Sequence, residues 1–134
     1  MTVLGGKRVL VVDDSAVARD IACDALEDLG VTVVAVPDIA ALRAIEDLAF
    51  DLVLMDVELP DAGAPDSVAV LRAVRAAARA VLLFSGLDEA ELAVRARAAH
   101  VDGYVSKRAG ADTLVREVSA WLDGTRVRAA EVAS

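Results

Sequence analysis

The chain has 134 residues, 57% of them apolar and 27% charged, with 22 acidic against 14 basic side chains and a net charge of -8. This length supports one hydrophobic core and not two, the composition excludes a disordered chain, and the acid excess excludes a domain-wide nucleic-acid footprint. No apolar run approaches the ~20 residues of a membrane span, while a single cysteine, Cys23, and a single histidine, His100, exclude an internal disulfide, a cysteine-built zinc site and a histidine-rich metal cluster. That cysteine usage fits the cytoplasm.

The opening MTVLGGKRVLVVDDS is basic and then apolar, but Asp13 and Asp14 interrupt it and no small-residue cleavage site follows. It reads as a first strand at residues 8–12 rather than a signal peptide. Ser15 caps a helix reaching about Leu29 and closed by Gly30, with Val17, Ile21, Ala25 and Leu29 on its apolar face. A β-branched second strand at 31–36 ends at Pro37, and Asp38 caps a second helix carrying Ile39, Leu42 and Ile45. The run 52–55 is a third strand ending at Asp56; a third helix covers roughly Asp66 to Ala78 with Val70, Leu71 and Val74. A fourth strand at 81–84 ends at Ser85, and Asp88 with Glu91 forms a carboxylate version of the capping box before a helix over 92–99. The run 103–106 ends at Lys107, and a fifth helix from Ala111 to about Asp123 aligns Leu114, Val118 and Leu122 before Gly124. Short continuous apolar strands alternating with helices predict an α/β, doubly wound, five-stranded parallel sheet with five helices.

In a parallel sheet all strand C-termini share one edge, and ligands bind in the crevice outside it. Asp13, Asp14, Asp56, Ser85 and Lys107 all fall at that edge. Three carboxylates repel unless a cation joins them, and Mg2+ suits an oxygen site with few protein ligands. An ammonium and a hydroxyl opposite the acids leave a slot for a phosphoryl group. A P-loop is excluded because Gly5 and Gly6 precede the first strand, and a dinucleotide fingerprint because VDDSAVA stands at the first turn. A phosphatase of the haloacid dehalogenase type uses Asp-x-Asp after its first strand; here the acids are adjacent, which makes it the weaker rival.

The segments VLVVDDS, DLVLMDVELPDAG, LLFSG and GYVSK, in this order and spacing, resemble the response-regulator receiver domains of two-component signalling, the CheY-like family with a flavodoxin-like fold. The resemblance covers residues 7–124 and leaves 125–134 as a C-terminal tail or the start of a linker. It implies a phosphoacceptor switch and not an enzyme acting on an external substrate, with Asp56 accepting a phosphoryl group from a histidine kinase or phosphotransfer protein. It further implies Mg2+ held by Asp13, Asp14, Asp56 and the backbone carbonyl of Glu58, phosphoryl oxygens held by Ser85, Gly86 and Lys107, and a switch made of Ser85 and Tyr104. Glu58 and Leu87 would flank the water that hydrolyses the acyl phosphate; neither suits orienting it, so slow loss of phosphate is expected. A phosphorylation-independent pseudo-receiver is the alternative, which the complete acid and lysine set opposes.

The sequence departs from the family at Arg108, where a proline is usual, and in the loop DAGAPD, which is longer by about two or three residues. The face of the fourth helix, fifth strand and fifth helix carries Arg95, Arg97, Arg116 and Glu117, mixed in charge and able to pair with a second copy, so a phosphorylation-strengthened homodimer is expected. The downstream partner is a protein of unspecified kind, and neither nucleic acid nor membrane is expected to bind directly. Trp121 and Cys23 read as packing residues and His100 as a surface or cap residue.

Overall fold

The computed structural model describes residues 4–63 and 65–128. Strands β1 (Arg8–Val12), β2 (Thr32–Val36), β3 (Leu52–Met55), β4 (Val81–Ser85) and β5 (Gly103–Ser106) form one parallel sheet in the order β2-β1-β3-β4-β5. Helices α1 (Ala16–Glu27), α2 (Pro65–Ala77), α3 (Glu89–Ala98) and α4 (Ala111–Leu122) connect and cover it. The chain leaves β1 toward β2 on one side and returns to β3 on the other. The crevice at the C-terminal ends of β1 and β3 is therefore the place where strand order reverses, the usual ligand position in such sheets.

Alternation along the strands divides the core. Val9, Val11, Leu54, Leu82 and Phe84 face Ala22 and Leu26 of α1 and Leu114, Val118 and Leu122 of α4. Leu10, Val12, Val53 and Met55 face Ile39, Leu42, Phe50 and Val74 on the other side. Leu83 of β4 packs with Leu92 and Ala96 of α3 in a smaller cluster. Because both faces are covered, β1, β3 and β4 carry unbroken apolar runs. In β5 the chain must pass close to its neighbour: a Cβ on Gly103 would lie 3.2 Å from Leu82 Cδ2.

The second helix and the inner face of α1 differ from what the sequence predicts. The second helix is a 3-10 turn, Ala40–Ala44, so the fold has four α-helices among the described residues rather than five. Ile39, Leu42 and Ile45 recur every three residues, the period of a 3-10 helix; Ile45 is extended, and the chain then drops to bury Phe50, over whose ring the Arg8 guanidinium sits at 4.2 Å. The inner face of α1 is also rotated from the expected one. Ala22 and Leu26 are buried, whereas Val17 and Ile21 are 68% and 52% exposed. Small Ala22 and half-buried Ala25 let α1 lie close on the sheet, which turns its branched side chains outward.

Other local signals match the structure. The Ser15 hydroxyl accepts from Ala18 N–H at 3.2 Å at the start of α1, and Gly30 and Gly124 take positive φ just past α1 and α4. Asp88 accepts from Glu91 N–H at 2.9 Å, but the Glu91 carboxylate pairs forward with Arg95 at 3.2 Å instead of reaching back, so half of the expected capping box forms. Pro65 opens α2 at its first position, where a missing N–H costs nothing. His100 lies exposed past the end of α3 with φ 55, a cap position.

Of the residues expected as a tail, 125–128 fold back on the body. Arg126 pairs with Glu117 at 3.1 Å, and Arg128 pairs with Asp102 at 3.0 Å and donates to the Ala78 carbonyl at 3.1 Å. Residues 129–134 lie outside the described residues. Among the described residues no helix is long and apolar enough to cross a membrane.

Candidate functional site

Each acid is placed by the strand before it. Asp13 continues β1, its N–H donating to the Val36 carbonyl at 3.1 Å, and Asp56 continues β3, its N–H donating to the Val12 carbonyl at 2.9 Å. The ladder thus extends one residue past both strands and sets the two carboxylates side by side at the sheet edge. Asp14 follows on the exposed side of the turn into α1. One carboxylate oxygen from each of Asp13, Asp14 and Asp56 lies within 4.8 Å of the other two.

Lys107 enters this cluster from the end of β5. Its ammonium stands 2.6 Å from Asp13 Oδ2 and 3.4 Å from Asp56 Oδ2. Phe84 packs beneath it, the ring centroid 5.3 Å from Nζ. Asp13 is wholly buried; Oδ1 accepts from Ser15 N–H at 2.9 Å, while Oδ2 meets Lys107 as an ion pair without a hydrogen bond among the described residues. The ammonium is its one partner among the described residues, which leaves this buried anionic oxygen with lone pairs for a second cation. Burial raises the pKa of Asp56; the Glu58 N–H, which donates to Oδ1 at 3.2 Å, and the Lys107 ammonium oppose the rise, and the Asp13 carboxylate adds to it. The donor set is three hard oxygens with an under-partnered buried atom among them, which fits a hard divalent cation such as Mg2+.

Ser85 ends β4, opposite Ser106 in register and 5% exposed, with its hydroxyl accepting from Leu87 N–H at 3.3 Å. Gly86 is exposed and has open space around its Cα. Tyr104 and Leu87 both pack against the Leu83–Leu92–Ala96 cluster, on the α3 side of the site. The Glu58 side chain is exposed on the loop after β3. Arg95 and Arg97 lie on the exposed part of α3 and Arg116 on that of α4, but Arg95 and Glu117 already have intrachain partners in Glu91 and Arg126.

Several features had no signal in the sequence. Arg19 of α1 reaches back to donate to the Asp13 carbonyl at 2.7 Å. The Asp61 carboxylate accepts from two backbone N–H groups of the 3-10 turn. A cleft of about 430 Å³ runs between α1 and α4 beside the acids, walled by Val17, Ile21, Phe84, Leu114 and Lys107. Cys23 lies on α1 away from this chemistry; burial raises its thiol pKa, with Glu27, Asp20 and Asp24 adding to the rise, which disfavours the thiolate.

The family model described as the response regulator receiver domain matches residues 9–119. The chain belongs to this family. As a receiver domain it is similar to a stretch of a protein-glutamate methylesterase/protein-glutamine glutaminase of Nocardioides sp., 38% identical over 120 residues, covering 84% of this chain and 32% of that protein. It is also 28% identical over 119 residues to the CAI-1 autoinducer sensor kinase/phosphatase CqsS of Vibrio cholerae, covering 87% of this chain and 17% of that protein. The receiver domain therefore spans a third or less of the length of these curated relatives. A CheY-like receiver domain structure from Methanospirillum hungatei superposes with a TM-score of 0.70 at 27% identity, covering 88% of this chain and 94% of that one. Two-component signalling is thus the setting of this receiver domain, and receiver domains bind Mg2+ through acidic residues like those at the ends of β1 and β3.

Proposed function

We propose that this receiver domain, residues 7–124, takes a phosphoryl group onto Asp56 from the phosphohistidine of a histidine kinase or phosphotransfer protein. The observation that carries this reading is the Lys107 ammonium, held between the Asp13 and Asp56 carboxylates at the strand-order reversal. An Asp56 oxygen attacks phosphorus, the P–N bond breaks, and the electron pair leaves on the imidazole nitrogen, which takes up a proton. Lys107 then has a phosphoryl oxygen to pair with in place of the Asp56 carboxylate, and the Ser85 hydroxyl, whose oxygen accepts from Leu87 N–H, turns its O–H toward the phosphoryl group as a donor. Tyr104 packs next to that movement and reports it to the α3–β5–α4 face. Asp13, Asp14, Asp56 and the Glu58 carbonyl hold Mg2+, which offsets the charge of the phosphoryl oxygens. Glu58 and Leu87 govern the approach of the hydrolytic water. Intact mass with acetyl phosphate, with and without Mg2+, tests the reading: one Mg2+-dependent adduct supports it, and no adduct points to a phosphorylation-independent module.

Metal binding to the folded site alone adds RT ln(1 + [Mg2+]/Kd) to stability, about 2.7 kcal/mol at a hundredfold excess over Kd. The melting temperature should rise through a Mg2+ titration, and Asp14→Ala should remove most of the rise. A wild-type melt that does not move at confirmed occupancy would count against the acidic site.

The apolar cleft beside the acids supplies ground for the phosphodonor protein. Val17 and Ile21 stand exposed on α1 and line this cleft, which Lys107 borders next to Asp56, and we infer that an apolar face of the donor protein docks there. Ile21→Glu should lower transfer from a donor protein about tenfold or more, as loss of a central apolar anchor does, while labelling by acetyl phosphate stays at the wild-type rate. Equal loss with both donors would place the defect in the site rather than in docking.

A further inference from the structure

The loop that leaves Asp56 is pinned from outside the acid cluster by a residue that the proposed chemistry does not use. Asp61 Oδ2 accepts from Ala40 N–H at 3.0 Å and Oδ1 from Ile39 N–H at 3.3 Å, twenty-one and twenty-two residues back in the chain. These N–H groups open the 3-10 turn and have no carbonyl to bond within it, so one carboxylate satisfies two orphan donors of a separate element. The turn itself is anchored, because Ile39 and Leu42 are buried in the cluster that contains Met55 and Leu59. The segment from Asp56 to Asp61 is therefore held at three points. Glu58 N–H bonds to Asp56 Oδ1, Leu59 is buried, and Asp61 is clamped to the 3-10 turn. Without the last of these, the described residues from Pro60 to Gly63 are ordered by the Ala62 N–H to Leu59 carbonyl turn, at 3.2 Å, and by the packing of Ala62 on the same cluster.

We propose that Asp61 is a positioning residue of the site: by tying the β3–α2 loop to the 3-10 turn it fixes the Glu58 backbone, and through it the Asp56 carboxylate, in the arrangement that binds the divalent cation. The inference rests on the phosphoacceptor reading of Asp56. Outer-sphere partners that orient metal ligands are worth about 10–100-fold in metal affinity, and a loop freed at one of three points belongs at the lower end of that range. The same tether makes the 3-10 turn the only described partner of the Asp61 carboxylate, so movement of the loop on one side and of the turn on the other are coupled.

Asp61→Ala and Asp61→Asn separate positioning from charge. Both remove one negative charge from the neighbourhood of the cation, but the asparagine carbonyl still accepts from Ala40 or Ile39 N–H. Mg2+ affinity is read by calorimetry well below the melting temperature, and hydrogen exchange at the Ile39 and Ala40 amides reports the tether itself. Expected is a Kd for Mg2+ about tenfold weaker in Asp61→Ala and within about threefold of wild type in Asp61→Asn, with amide protection lost in the first and largely kept in the second. Equal weakening in both variants would make the effect one of charge and overturn the proposal, as would a wild-type Kd in Asp61→Ala. A wild-type protein that binds Mg2+ but forms no Asp56 adduct overturns the phosphoacceptor reading instead, whatever the Asp61 variants do.

Discussion

Asp56→Asn should abolish labelling by any phosphodonor, a loss of at least about a hundredfold, without unfolding the domain. The amide has the volume of the carboxylate, and its oxygen can accept the Glu58 N–H that Asp56 Oδ1 accepts in the wild type at 3.2 Å. It has no anionic oxygen to attack phosphorus. Stability should be unchanged or raised, because burial penalises the Asp56 charge and the nearby Asp13 repels it. Thermal melts in metal-free buffer, alongside intact mass after acetyl phosphate treatment, check both halves. An adduct of ordinary yield on the variant would move the phosphoacceptor elsewhere.

Lys107→Met should be the most destabilising single change at the site in the absence of metal. The ammonium is the partner of a wholly buried carboxylate oxygen that has no hydrogen bond, and it also meets Asp56 Oδ2. Removing one member of a buried pair leaves the other charged and unpaired, which typically costs about 3–5 kcal/mol. Lys107 is itself 24% exposed, so the lower end applies: about 3 kcal/mol, or on the order of 10 °C in melting temperature for a domain of this size. Mg2+ supplies the missing cation, so the deficit should narrow in millimolar Mg2+. The variant should still bind the metal yet fail to couple phosphorylation to partner binding. A Lys107→Met melt equal to wild type without metal would show that the ion pair contributes nothing to the fold.

Strand-end chemistry was legible because it is positional. Val9–Val12, Leu52–Met55 and Val81–Phe84 are runs that only a doubly covered sheet accommodates, and the polar residues at their ends fall at one edge as soon as the strands are parallel. The helix caps at Ser15 and Asp88 were legible for the same local reason. The 3-10 turn was not, since Ile39, Leu42 and Ile45 satisfy a helical and a 3-10 period over so short a span, and the clamp that favours the turn comes from Asp61, far away in sequence. The inner face of α1 is not legible from its branched residues, because close packing on the sheet buries Ala22 and leaves Val17 and Ile21 for the cleft. Arg19 bonding to the Asp13 carbonyl is a contact between a side chain and a backbone group, for which spacing carries no signature.

Phosphorylation of Asp56 is read by peptide mapping of the wild-type protein after acetyl phosphate and Mg2+ treatment. A single phosphoryl group is expected, on the peptide containing Asp56, formed with Mg2+ and absent when the metal is chelated. No adduct at saturating Mg2+, or an adduct carried by any other residue, would contradict it.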